Sequence, residues 1–289
     1  FYDAASLTTY IDHYGMVPLH RGRLTCDAFT FEPDEWAKAE SGDYLLWCEF
    51  TLLRGKYVPS ASVHRCVMGV DVSAGTSATC SAISVWDAVL REKVFRWMRR
   101  DYRPDRLAEV AFTVGQWFGG GNVKVIFEGG THGSTFGLRF RELIAQAGGE
   151  CPNLFWMEVA GHGKNKGKRR PMPGLFYEGQ GKLNLCANYG QALFRGEAIC
   201  RDREALKEGF AFQLGASSLV EHVDSLDKGN PGGAKKNHGD AWMADCLAWE
   251  LLRSDKKAVS LREAEKDGYS RVMRAQREAM EEALVEDTW

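Results

Sequence analysis

The 289-residue chain is long enough to bury a sizeable core, as one large domain or two small ones. Its 37 lysines and arginines against 39 acids leave it close to neutral, which excludes a global attraction to nucleic acid and requires any DNA contact to be local. An apolar fraction of 44% is ordinary for a soluble globular protein, and no uninterrupted apolar run approaches the roughly 18 residues of a membrane helix.

Cysteines stand singly at Cys26, Cys48, Cys66, Cys80, Cys151, Cys186, Cys200 and Cys246, with no C-x-x-C pair and no matching histidine spacing. That pattern points to reduced thiols in a cytoplasm, not to a disulfide frame or a zinc site. The chain opens at Phe1 without a basic-then-apolar signal segment, inside what reads as folded sequence, so a longer polypeptide with its missing part upstream is expected.

In chain order, residues 1–60 are mixed in pattern, with an aromatic and acidic cluster from Phe29 to Asp43 and a short apolar run from Leu45 to Leu53; a connecting subdomain is expected. From Cys66 the pattern sharpens. CVMGVDVS is a short apolar run ending in a carboxylate and followed by the small-residue turn SAGTSA, which predicts a buried strand delivering Asp71 to a turn. CSAISVWD and KVFRWMRR follow at short intervals, and three such strands make an antiparallel meander. Pro104 and Asp105 open a helix that presents Leu107, Val110, Ala111, Val114, Trp117 and Phe118, closed by Gly119 to Gly121. VKVIFEGG repeats the earlier device, a strand from Val123 to Phe127 ending in Glu128 and a glycine turn. A helix through Phe136, Leu138, Phe140, Leu143 and Ile144 comes next, then an apolar stretch from Leu154 to Val159. Strand, helix, strand, helix, strand after a meander predicts an α/β fold with a sheet of mixed direction.

Lys164, Lys166, Lys168, Arg169 and Arg170, interleaved with glycines and followed by Pro171 and Pro173, read as a surface loop able to neutralise phosphates without reading bases. Leu183 to Phe194 predicts a helix, EAICRD a short extended piece, and DKGNPGGAKKN a loop. HGDAWMADCLAWELLR then carries Ala241, Ala244, Ala248 and Leu251 on one helical face with Asp240 in the first turn. Ser260 with Glu263 forms a possible capping box before a charged tail helix.

Asp71 and Glu128 each lie at the carboxyl end of a predicted strand, the edge where open α/β sheets bind ligands, and Asp240 opens a helix that can reach back over that edge. Three converging acids repel one another unless divalent cations neutralise them, and Mg2+ or Mn2+ suits oxygen ligands and in-line displacement at phosphorus.

The order of these acids resembles the ribonuclease-H-like superfamily, and the local sequences resemble the nuclease domain of terminase large subunits. The likeness runs through GVDVSAGTSATCSAISV, VIFEGGTHG and HGDAWMADCLAW, within roughly Cys66 to Arg253. It implies a ribonuclease-H-like mixed central sheet flanked by helices over residues 61–255, a linker over 1–60 to an ATPase, and a charged C-terminal helix over 256–289. It implies Asp71, Glu128 and Asp240 as catalytic acids holding two Mg2+ or Mn2+ ions, with Asp245 as second choice. Asp245 lies five residues further along the helix and points about 140° away from Asp240. Two departures stand out: Thr79 and Cys80 occupy the place before Ser81 and Ala82 where many relatives carry an acid, and Gly239 replaces another acid before Asp240.

His132 and His238 lie near two of the acids, either to assist leaving-group protonation or hold a phosphate, or simply as polar helix-start residues. Lys182 is a phosphate contact or a solvated lysine. The resemblance implies double-stranded DNA as substrate, an upstream ATPase domain, small terminase subunit and portal as partners, and the cytoplasm of a bacterial host as location, with no membrane. No phosphate-binding G-x-x-x-x-G-K-[ST] occurs, so ATP hydrolysis by this chain is not expected. Two other functions fit the same residues: a transposase, integrase or resolvase, and a non-catalytic DNA- or capsid-binding domain.

Overall fold

A computed structural model describes residues 4–53, 55–76, 79–148, 151–157, 168, 172–177, 180–214, 220–222 and 239–254. In chain order the elements are α1 (Ala4–Tyr14), β1 (His20–Cys26), β2 (Pro33–Lys38), β3 (Tyr44–Leu46), β4 (Phe50–Leu53), β5 (Lys56–Pro59), β6 (Cys66–Asp71), β7 (Cys80–Asp87) and β8 (Glu92–Arg100). They continue as α2 (Pro104–Trp117), β9 (Val123–Phe127), α3 (Thr131–Ala147), β10 (Asn153–Leu154), α4 (Gly181–Phe194), α5 (Arg203–Glu208), β11 (Phe212–Leu214), β12 (Val220–His222) and α6 (Asp240–Ser254). No described helix is long and apolar enough to cross a membrane.

Eight strands form one mixed sheet in the order β10-β9-β6-β7-β8-β3-β1-β2. β6, β7 and β8 are the antiparallel meander, while β9 runs parallel to β6 and β10 parallel to β9. The mixed α/β architecture is the one the sequence predicts. Within residues 1–60, where a connecting subdomain is expected, β3, β1 and β2 extend the same sheet antiparallel beyond β8. Of the apolar stretch expected from Leu154 to Val159, Leu154 ends the two-residue strand β10 and Trp156 is bridged to Gly174, while residues 158 and 159 lie outside the described residues. The charged tail helix lies outside the described residues.

Alternation along the strands divides the core. Cys66, Met68 and Val70 pack with Ile83, Val85 and Phe95 under α2 and α3, whereas Val67, Trp86 and Ile126 pack with α1, α4 and α6. Both faces are covered, which is why β6 and β7 read as nearly unbroken apolar runs. Gly69 falls on the α6 side, where a Cβ would sit 2.0 Å from the Ala244 carbonyl oxygen and 2.7 Å from the Ala248 nitrogen. A glycine there lets the helix backbone lie directly on the strand.

A buried ion network ties α6 to the meander. The Lys93 ammonium is 2.9 Å from Asp245 and 3.0 Å from Asp202, and Arg96 donates to Asp202 at 2.9 Å. Ser84 and Trp86 also donate to Asp245.

Candidate functional site

The same alternation that sorts the core aims the acids. Val67, Gly69 and Asp71 share a face of β6, so the strand's last side chain emerges on the side covered by α6. In β9, Ile126 packs on that side, and Glu128 two residues later continues the face. Glu128 is fixed beyond the strand end: it forms a parallel bridge with Leu175, and the Gly129 amide donates to the Leu175 carbonyl at 2.6 Å.

Asp240 is the first residue of α6, and its carboxylate accepts the Cys80 amide at 2.9 Å, joining the helix start to the start of β7. Gly239 before it has φ +77, a left-handed conformation that favours glycine. Glu208, the last residue of α5, accepts the Trp242 amide at 3.0 Å and so caps the first turn of α6.

These groups act on one another. Burial first, then the Asp240 and Glu128 carboxylates, pushes the Asp71 carboxyl well above the ordinary carboxylate range, with Glu208 adding to the effect and Lys182 opposing it. Burial and then Glu128 likewise hold the Tyr177 phenol protonated, and Asp71 adds to this. Tyr177 has no well-formed hydrogen bond among the described residues, although its hydroxyl is buried beside Glu128. Asp71, Glu128, Asp240 and Lys182 are therefore brought into one electrostatic neighbourhood at the carboxyl ends of β6 and β9. Among the described residues, no three His, Cys, Asp or Glu side chains are closed round a single point as a metal cage.

Asp245 is fully buried with both oxygens engaged by Lys93, which corrects its standing as an alternative ligand: it anchors the helix to the sheet. His132 is exposed in the first turn of α3. Lys168 is exposed, while Lys164, Lys166, Arg169, Arg170 and His238 lie outside the described residues. Sequence reading missed Glu208 and Tyr177. Neither belongs to a motif; the available signals were an acid closing a short helix and a tyrosine shortly before Lys182.

No family model matches the sequence, and no curated protein does. Solved structures do. The large terminase nuclease domain of Thermus phage P74-26 superposes with a TM-score of 0.51 at 14% identity, covering 88% of this chain and 98% of that one. The large terminase nuclease of thermophilic phage G20c with bound magnesium gives 0.49 at 14%, over 84% and 96%. The human cytomegalovirus terminase nuclease domain, manganese-soaked and inhibitor-bound, gives 0.37 at 12%, over 65% and 83%. The first of these, together with the mixed sheet flanked by helices, gives the chain a ribonuclease-H-like fold. Its form resembles that of large terminase nuclease domains.

Proposed function

We propose that the chain is a metal-dependent endodeoxyribonuclease that cuts double-stranded viral DNA during genome packaging, as the nuclease module of a terminase large subunit. What supports this reading is that Asp71, at the end of β6, is held well above the ordinary carboxylate range first by burial and then by the Asp240 and Glu128 carboxylates. A phosphodiester would bring further negative charge to acids that already repel one another, so such a site fits DNA only together with cations.

The donor set fits Mg2+ or Mn2+: carboxylate oxygens, with the Tyr177 hydroxyl beside them, are hard ligands. Asp71, Glu128 and Asp240 would hold a pair of such ions, which when bound activate water and offset charge on the scissile phosphate. The chain's own part is positional. The Cys80 amide orients Asp240, the bridge to Leu175 fixes Glu128, and Lys182 supplies a positive charge that can meet a phosphate oxygen. In this reading an ATPase domain, small terminase subunit and portal are partners, and the host cytoplasm is the location.

The test is plasmid cleavage in Mn2+, Mg2+ or EDTA by wild type and Asp71→Asn. Metal-dependent nicking and linearisation that disappear in the variant are expected. A folded variant that cuts as fast as wild type would remove Asp71 from the mechanism, and a wild type that fails to cut in either metal would favour a non-catalytic DNA- or capsid-binding role.

A further inference from the structure

Away from the acids, a cavity of about 460 Å3 opens between the second half of α3 and the β9–β10 edge, lined by Arg141, Ile144, Lys124, Asn153, Leu154 and Trp156. Among the described residues, two cations and no carboxylate line it. The Arg141 guanidinium lies over the Trp156 ring, 5.6 Å from its centroid, and the Lys124 ammonium over the Phe155 ring at 5.7 Å. Among the described residues neither has an acidic partner, in contrast to Arg139 two positions earlier, which is engaged by Glu109 and Glu142.

We infer that this cavity is a second binding site for the DNA backbone, with Arg141 and Lys124 taking phosphodiester oxygens. The inference rests on DNA being the substrate. A guanidinium held over an indole by its charge has N–H donors to spare, and its planar fork matches two phosphate oxygens. The aromatic faces hold both cations in place, so less side-chain freedom is lost when an anion arrives. Shallow apolar walls from Ile144 and Leu154 accommodate the sugar beside the phosphate without reading a base. Lys124 precedes Glu128 by four residues, about 13 Å along an extended strand, a span of roughly four base-pair rises of B-DNA. A single duplex can therefore touch the cavity and the acids together.

The experiment is anisotropy of a short fluorescent duplex in EDTA, titrated with the protein at several salt concentrations. The proteins compared are wild type, Lys124→Gln/Arg141→Gln, Arg141→Lys, and Lys207→Gln as a control whose ammonium already pairs with Glu204. Losing two phosphate contacts should reduce the slope of log affinity against log salt by about 2, equally for unrelated sequences. Arg141→Lys should keep the slope but bind less tightly, because charge remains while the planar fork is gone. In Mn2+ the double variant should show a raised KM for plasmid with kcat unchanged. A double variant with the wild-type slope and affinity would overturn the inference while leaving DNA as substrate. A wild type that neither binds nor cuts DNA would overturn both.

Discussion

Lys93→Met tests what holds α6 in place. The ammonium it removes is fully buried and lies 2.9 Å from Asp245 and 3.0 Å from Asp202. At an effective dielectric near 20, each of those attractions is about 5–6 kcal/mol before desolvation is subtracted. What remains when one partner of a buried pair is deleted is about 3–5 kcal/mol. Asp202 would keep Arg96, but Asp245 would keep only neutral donors, mainly Ser84 and Trp86. At about 2–4 °C per kcal/mol, the melting temperature should fall by about 6–20 °C at neutral pH. The pH dependence follows from the orphaned acid. Burial already raises the Asp245 carboxyl while Lys93 restrains it, so the variant should raise it further. An acid whose folded pKa exceeds its unfolded value destabilises as pH rises through that interval, so the deficit should be small near pH 4 and full at neutrality. Thermal and urea denaturation of both proteins from acid to neutral pH measures this. A deficit below about 1 kcal/mol, or one that acidification leaves unchanged, would refute the network as the anchor.

Asp71→Asn should raise the melting temperature in EDTA, with a gain that is absent in the ordinary carboxylate range and grows toward neutral pH, since Asp71 is held above that range by burial and its acidic neighbours. Its metal-dependent cleavage should fall by more than the roughly 100-fold that loss of an outer partner costs, and a flat pH dependence of the stability gain would contradict the repulsion. Gly69→Ala places a methyl 2.0 Å from the Ala244 carbonyl, so denaturation should show a loss of at least about 1–3 kcal/mol; unchanged stability would mean that α6 does not rest on β6. Tyr177→Phe should leave stability within about 1 kcal/mol, because the hydroxyl makes no well-formed hydrogen bond among the described residues. Cleavage by that variant should drop if the hydroxyl helps hold Glu128, and wild-type rates would assign it to packing alone.

The meander, β9 and α6 were legible because burial on both faces writes long apolar runs, and because Ala241, Ala244 and Ala248 repeat at helical spacing. The sheet extension was not. β1 reads HRGRLTC and β2 reads PDEWAK, half-exposed strands near an edge whose polar side chains carry no alternation strong enough to announce them. At the candidate site, strand-end position and order singled out Asp71 and Glu128, whereas Glu208 acts through a backbone amide thirty-four residues away in sequence, a relation set by tertiary packing. Asp245 shows the opposite hazard. It belongs to the same helical segment as Asp240, and only its distant partner in KVFRWMRR, a lysine inside an apolar strand, separates an anchor from a ligand.

Placing Asp240 and Asp245 on one helix makes angular tolerance the quantity that the fold must control. A side-chain carboxylate rides about 5.5 Å from a helix axis, so a 10° roll of α6 would carry it about 1 Å. In the proposed metal site, coordination by Asp240 would tolerate about 0.2 Å, which corresponds to a roll of about 2°. Lys93 grips the helix about 140° around the axis from Asp240, and Gly69 stops it against the strand. Together they act as a rotational stop, setting the helix's phase and with it the placement of an acid that neither of them touches.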